Sequence, residues 1–464
     1  AAADIDTSSK DPASTYNDTF ISDSNLEPLL FNLGQNYIAQ NTIADFSYSY
    51  KRLYASQSFS SSDSPALTVG TGETISSATS SSAKTENYQI VVTTAGTSPY
   101  TIGQIIPANL FTVDTGTRKI TVTSGNNMVA NITATIDASN PGSKGKTYVG
   151  ANATVQTSGG TSIFANNGVL LYTANGQVHI MANTVYKTPG TVQSLFVPDV
   201  IELVSVLDFN NNQITVANSA TATDVTSRYT LDSGQRDSLY DHSSIRLRAG
   251  SAAPTGPLVV KFNRFNSSGA GFFTVDSYVG YDYGSIPSYT TQATGQIYQL
   301  RDCLDYRPVR SIPTSAATAN TVSFDVDSTT TGPKIPENGS DILLDYQYYL
   351  PRTDKVILNK NRTFEVLQGN PSLTPVQPND KDGAMTMYIL REPAYVANTS
   401  DIDVEYVDNK RYTMRDIGNL DKRIGNLEYY TSLSLLEQNA LNKQDLTILD
   451  STNLPRFKNG IVVD

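Results

Sequence analysis

The chain reads as mainly β-structure spread over several domains, and three observations carry that reading. Charged residues supply 17% of the 464 positions and apolar residues 39%, so Ser, Thr, Asn, Gln and Tyr make up the balance rather than the Ala, Glu, Lys and Leu of helical proteins. Tyr occurs 27 times, Gly 30 and Pro 21, which joins strand formers to turn formers. Short β-branched runs separated by Gly, Asn, Ser and Pro recur from Tyr88 to Val407, and only then does a long helical pattern begin. The expected architecture is a multidomain sandwich or barrel-like body with an immunoglobulin-like insertion and a C-terminal coiled-coil-like helix.

Residues 1–55 are expected to form an arm and docking segment. The first 22 are polar and cannot bury a core of their own. From Asn25 the stretch NLEPLLFNLGQNYIAQNTI has the spacing of a short amphipathic helix interrupted by Gly34, with an irregular strand as the alternative. Residues 56–84 are rich in Ser, Thr and Gly and read as a linker. In 85–190 the runs YQIVVTT, QIIPANLFTVD, KITVTS and NITATI fall at the spacing of a small inserted sandwich. Asn167–Gly168 and Asn175–Gly176 mark hairpin turns. Across Gln177–Met181 alternation sends Val178 and Ile180 inward and His179 to the polar face.

Residues 191–410 continue in strands and are expected to form the main body. KVILNKNRTFEVL at 355–367 is its clearest hairpin, three prolines (Pro371, Pro375, Pro378) then mark a loop, and MTMYIL resumes the sheet. Residues 411–445 form the helical segment. Thr413 and Asp416 stand at capping-box spacing, so the helix should start near Met414. Ile-Gly-Asn-Leu occurs at 417–420 and again at 424–427, a seven-residue repeat with Ile417 and Ile424 at a and Leu420 and Leu427 at d. Gly418 and Gly425 each cost an isolated helix about 1 kcal/mol relative to Ala. Past Leu427 the strict frame meets Thr431 and Ser434, while Tyr430, Leu433, Leu436 and Ala440 keep a stripe only through a stammer. The competing reading is an ordinary amphipathic helix lying on the β-body. Residues 446–464 read as the start of a further domain: Asn459–Gly460 is a hairpin turn followed by Ile461, Val462 and Val463, and with Ala at position 1 this leads to the expectation of a longer parent polypeptide.

Chemistry is excluded more readily than found. A net charge of −11 provides no basic field for phosphates, so no nucleic-acid partner is expected. One cysteine, Cys303, rules out an internal disulfide framework and a thiolate cage, and two histidines are few for a metal centre, so neither metal nor cofactor is expected. No apolar run reaches the roughly 20 residues of a membrane span, and no insertion is expected. Asp302 and Asp305 flank Cys303, but strand alternation turns them opposite ways. Asp305 is better placed to pair with Arg307 or Arg310, or to cap a turn ahead of Pro308, and Cys303 reads as a small buried apolar residue. Asp241-His242-Ser243 has the residue types of a hydrolytic triad, yet consecutive residues do not converge. The run Asn379–Gly383 lacks the spacing of a calcium loop. The tyrosine clusters Tyr278, Tyr281, Tyr283 and Tyr346, Tyr348, Tyr349 are read as interface residues in preference to sugar-stacking platforms.

Longer phrases carry a resemblance. SGQRDSLYDHSSIRLRAG, PLVVKFNRF, FFTVDSYVGYDYGSIPSY, YQLRDCLDYRPVR, YQYYLPRTDKVILNKNRTFEVLQGNPS and RYTMRDIGNLDKRIGNLEYYTSLSLLE together resemble virion structural proteins of contractile-tailed bacteriophages, of the tail-fibre or baseplate-associated and cyanophage-like kind. The likeness covers about residues 195–464. It implies a non-enzymatic, extracellular virion subunit. Such a subunit self-associates, as a trimer more than a dimer, docks on other tail or baseplate proteins and offers loops to a host receptor. By side-chain shape alone, Ile at a with Leu at d leans instead toward two strands. The residues expected to carry self-association are Ile417, Leu420, Ile424 and Leu427. The rival functions are a bacterial surface adhesin, and behind it a tail-spike enzyme that degrades polysaccharide.

Overall fold

The computed structural model describes residues 16–19, 28–60, 64–164, 168–181, 185–269, 271–319, 321–324, 333–444, 457–458 and 461–462. Strands take 39% of the chain and helical segments 15%, so the protein is mainly β, with a long C-terminal helix. It divides into two compact units, 1–350 and 351–464.

The first unit is organised by strand pairings remote in sequence. Its first sheet runs in the order Tyr16–Thr19, Asp341–Tyr348, Ile38–Ser58, Val129–Ser139 and Glu73–Ile75, with Tyr88–Thr94 also paired to Val129–Ser139. A second sheet orders Thr161–Ser162, Val169–Tyr172, Gln177–Ile180, Leu258–Ser267, Val200–Asp208 and Thr223–Asp224, and Lys146–Val149 joins the far end of Leu258–Ser267. Strands from 85–190 are thus divided between these two sheets, both of which need partners from outside that stretch, and a hairpin of Phe111–Asp114 with Lys119–Val122. The immunoglobulin-like insertion expected there does not close on itself, because short strands name their type in sequence but not their neighbours.

A third sheet, Val192–Pro198, His242–Leu247 and Tyr229–Asp232, packs on the second. Val178, Ile180, Val206, Leu258, Val260 and Phe262 from one side meet Leu195, Val197, Tyr229, Ile245 and Leu247 from the other, all buried. The larger core beneath the first sheet is aromatic. Phe46, Tyr48, Phe272 and Tyr306 interlock, with Phe46 and Phe272 ring centroids 4.7 Å apart and Tyr48 and Tyr306 5.3 Å apart.

Several expectations are corrected here. Residues 30–32 and 38–58 are strands, so the helix considered from Asn25 is replaced by the strand alternative. The stretch 56–84 is packed: Phe59, Leu67 and Ile75 are buried, Glu73–Ile75 joins the first sheet, and Ser81–Asn87 is a helix capped by Ser80, whose hydroxyl accepts from the Ala83 amide at 3.0 Å. Glu73 fastens this stretch, pairing with Arg52 at 2.7 Å and Lys334 at 2.8 Å and accepting from Tyr50 at 2.8 Å. Three large apolar residues and one well-placed acid outweigh the polar composition. His179 is buried rather than on an exposed polar face. The second sheet is covered on both sides, and the 150–156 segment crosses the side opposite the main core, where Gln177 Nε2 donates to Asn152 O at 2.9 Å and Thr154 O at 2.7 Å. The tyrosine clusters pack within the chain. Tyr278 and Tyr281 lie edge-on to Phe265 at 5.2 and 5.0 Å, Tyr283 meets Tyr349 at 5.5 Å, and Tyr346 and Tyr348 rest against the aromatic core. The arm expected over 1–55 lies outside the described residues up to residue 27, except for the paired strand Tyr16–Thr19. Asn167 and the Asn459–Gly460 turn also lie outside them.

The second unit is a four-stranded antiparallel sheet followed by the helix. Its order is Phe364–Leu367, Arg352–Asn359, Ala384–Glu392 and Asp403–Tyr406. Register sorts its side chains cleanly. One face carries Ile357 and Ile389, both buried, with Thr353, Lys355, Glu365, Arg391, Asp403 and Glu405. The loop before Ala384 covers part of this face, Asp380 reaching Lys355 at 2.7 Å and Lys381 reaching Glu365 at 2.6 Å. On the other face stand Val356, Leu358, Phe364, Val366, Met385, Tyr388, Leu390, Val404 and Tyr406. Most of the apolar residues are therefore on the side away from that loop, where Asp354 at one end is buried and accepts from the Gly369 amide at 2.9 Å.

Candidate self-association site

The connection between sheet and helix is short and partly fastened. The Val407 amide donates to Met387 O at 3.0 Å and Asn409 Nδ2 donates to Thr386 O, which leaves residues 410–413 before the helix starts. Met414–Gln444 is then a single helix of 31 residues, about 46 Å at 1.5 Å per residue. Its start is the capping box expected from sequence. The Asp416 amide donates to Thr413 Oγ1 at 3.3 Å, and Asp416 Oδ2 accepts from the Thr413 amide at 2.9 Å and from Thr413 Oγ1 at 2.7 Å. These bonds, the hydroxyl's first, hold the Asp416 carboxyl below its usual pKa.

Spacings of three, four and three place Ile417, Leu420, Ile424 and Leu427 within an arc of about 80° on one side of the helix. All four are exposed, between 41% and 65%, as are Tyr429, Tyr430, Leu433, Leu435 and Leu436. Among the described residues from 413 to 440 none is buried. Thr431, where the next a residue would stand, turns its hydroxyl onto the helix itself, donating to Leu427 O at 2.7 Å. The apolar stripe shifts past it to Tyr430 and Leu433. Gly418 and Gly425 have open space where a Cβ would project, so nothing among the described residues requires glycine there.

The other sequence candidates resolve into structural roles. Asp305 pairs with Arg307 at 2.8 Å, and Arg310 instead takes Asp241 at 2.7 Å. Around this pair lies a buried network that sequence spacing did not reveal. Lys146 Nζ meets Asp199 at 2.8 Å and Tyr240 Oη at 2.9 Å, Tyr240 donates to Asp305, Arg307 Nη2 donates to Tyr240 Oη at 2.8 Å, and Gln235 Nε2 donates to Asp199 at 3.0 Å. Burial would raise the Asp305 carboxyl, but the charge and hydrogen bonds of Arg307, with Lys146 behind them, hold it below its usual range. Arg307 also lies 4.2 Å from the Tyr240 ring centre and 4.3 Å from that of Tyr289. Every polar atom of the Asp305 carboxylate is engaged, and the network ties residues 146, 199, 235, 240, 305 and 307 together across the core.

Asp241, His242 and Ser243 diverge. His242 Nε2 is 3.0 Å from Ser311 O, and Ser243 Oγ donates to Ser233 O at 2.6 Å. Cys303 is fully buried and burial pushes its thiol well up. Among the described residues no three His, Cys, Asp or Glu side chains gather as metal ligands would, and no helix is long and apolar enough to cross a membrane.

Residues 293–452 match a family model described as a domain of unknown function, DUF4815. The matched stretch includes the whole four-stranded sheet and the whole helix. No curated protein matches the chain. No solved structure matches it either.

Proposed function

We propose that this protein is a structural subunit of a contractile bacteriophage tail, in the fibre or baseplate region, that assembles with copies of itself and with other tail proteins and performs no catalysis. The observation that carries the self-assembly is the exposed heptad stripe: four large aliphatic side chains at a and d spacing, left between 41% and 65% exposed by the described residues. In this reading the helix forms a short parallel coiled coil, three-stranded on the strength of the resemblance, over 417–427 and continues past Thr431 with a shifted stripe. Arg423 at g and Glu428 at e of the next heptad are set for one attractive interchain pair, while Asp416 and Asp421 at the equivalent positions repel. The weak second half and the mixed charges make the helix a contributor to assembly alongside other surfaces.

Support for the tail placement comes from the long sequence phrases over 195–464 and from a low-charge surface suited to permanent assembly. Loops of the β-body would be the parts offered to a host surface. Light scattering on the full chain tests the assembly. The expected result is a trimer that falls to monomer in the Ile417→Asp, Ile424→Asp double variant. A wild-type chain that runs as a monomer overturns it. Antiserum to this chain, applied to the contractile-tailed virions whose genome encodes it, tests the placement, with label on fibres or baseplate expected and unlabelled tails overturning it.

A further inference from the structure

The second unit's sheet is turned the wrong way for a free-standing protein. Its own loop covers only part of the charged face, around Lys355, and leaves Arg391, Asp403 and Glu405 exposed, while Phe364, Val366, Met385, Tyr388, Val404 and Tyr406 on the opposite face are between 37% and 68% exposed. Because strand side chains alternate with period two, this is a property of the whole register, shared by all four strands, and not a scatter of single residues. A contiguous apolar face of this kind marks an interaction surface.

We infer that this face is the main interface between copies of the chain, with the apolar sheet face of one copy covered by the second unit of another. The inference rests on the self-association proposed for the helix and names the larger surface that accompanies it. Three features select a second copy as the occupant. The helix with the seven-residue repeat begins with only four residues between it and the last fastening to this sheet, a span of at most about 18 Å. Joining of helices therefore delivers the sheets to one another at high effective concentration. The charges on the apolar side of these strands are confined to one end and pair among themselves, Arg352 with Glu392 at 2.9 Å and with Asp354 at 3.1 Å. No unpaired charge is left there to select a partner of opposite sign or to repel an identical face. Finally, the helix stripe is narrow and its frame breaks at Thr431, so a stable assembly needs apolar area elsewhere, and this is the apolar surface nearest to it in the chain.

Cysteine protection tests this on the full chain, because the native Cys303 is fully buried and silent to alkylation under native conditions. Val404→Cys and Phe364→Cys are made in the wild-type background and in the Ile417→Asp, Ile424→Asp background, with Leu427→Cys as the helix reporter. The expected result is alkylation at 404 and 364 at least tenfold slower in the oligomer than in the helix-disrupted monomer. Equal, fast alkylation at 404 and 364 in an oligomer that protects Leu427→Cys overturns the inference and leaves the helix reading standing. Slow alkylation in the monomer as well shows the face covered by the same chain and overturns it too. A wild-type monomer removes both readings together. An oligomer whose 404 and 364 sites become protected only on adding another virion protein assigns the face to that partner instead.

Discussion

The two units treat polarity in opposite ways. In the first, charge goes inside: Arg307, Lys146 and Asp305 are buried with every charge answered, and the apolar residues around them close into cores. In the second, charge stays mostly at the surface, with Arg391, Asp403 and Glu405 exposed, and the apolar face of the sheet and the helix stripe lie open as well. The first unit answers these buried charges within the chain, whereas the second, on the inference drawn above, offers its apolar face to another copy. A buried ion pair gives little net stability compared with apolar packing but is very costly to break, while an open apolar face costs nothing until a partner is missing.

The sharpest way to break this contrast is Asp305→Ala. It strands the Arg307 guanidinium in a buried site, and the first unit should lose on the order of 3–5 kcal/mol, read as a lowered urea midpoint by circular dichroism. A change below about 1 kcal/mol would mean that water reaches the network and that the two units are less different than they look. The aliphatic helix variants should leave that midpoint where it is.

Next in size is a pH effect. Burial, helped by nearby Lys261, lowers the His179 pKa to about 4 from the ordinary 6.5, and its Nε2 has no hydrogen-bond partner among the described residues. The folded form excludes a proton that the unfolded chain takes up below pH 6.5. The His179 contribution is therefore complete above that pH and is lost as pH falls toward 4, for a total on the order of 3 kcal/mol. His179→Leu should flatten the stability profile of the first unit between pH 6.5 and 4. An unchanged slope would put the titration on other groups.

Smaller effects sharpen the account of the second unit. Gly418→Ala with Gly425→Ala meets open space and should raise helix stability by about 1 kcal/mol per site, seen as a higher thermal midpoint for the helical signal. A loss of oligomer in this variant would show that the glycines serve close approach between copies. Least of all, Arg391→Ala removes exposed pairs to Asp403 and Glu405 and should leave the unfolding midpoint unchanged.

How far the fold could be read in advance varied with the range of the interaction. The Thr413–Asp416 cap, the helix start at Met414 and the 355–367 hairpin were legible because each depends on residues a few positions apart. The candidate helix residues were likewise found by spacing alone. The Asp305–Arg307 pair was within reach for the same reason, but Lys146, Asp199 and Tyr240 around it were not, since nothing local links them. The apolar side of the second sheet had a visible signal in the alternation of Val356, Leu358, Phe364 and Val366. Alternation separates two faces without saying which of them will be covered.

Composition and local pattern were thus enough to set the strand-rich character, the turns, the caps and the heptad stripe, because those follow from backbone preference and side-chain period. Tertiary structure decided that the Ser-rich stretch would be packed through Phe59, Leu67 and Ile75, that His179 would be buried on a doubly covered sheet, and that strands 300 residues apart would share one sheet, as Asn41 and Tyr346 do. It also decided which face of the second sheet stayed open. Those outcomes depend on which surfaces meet, and partners remote along the chain leave no period or spacing by which they can be recognised.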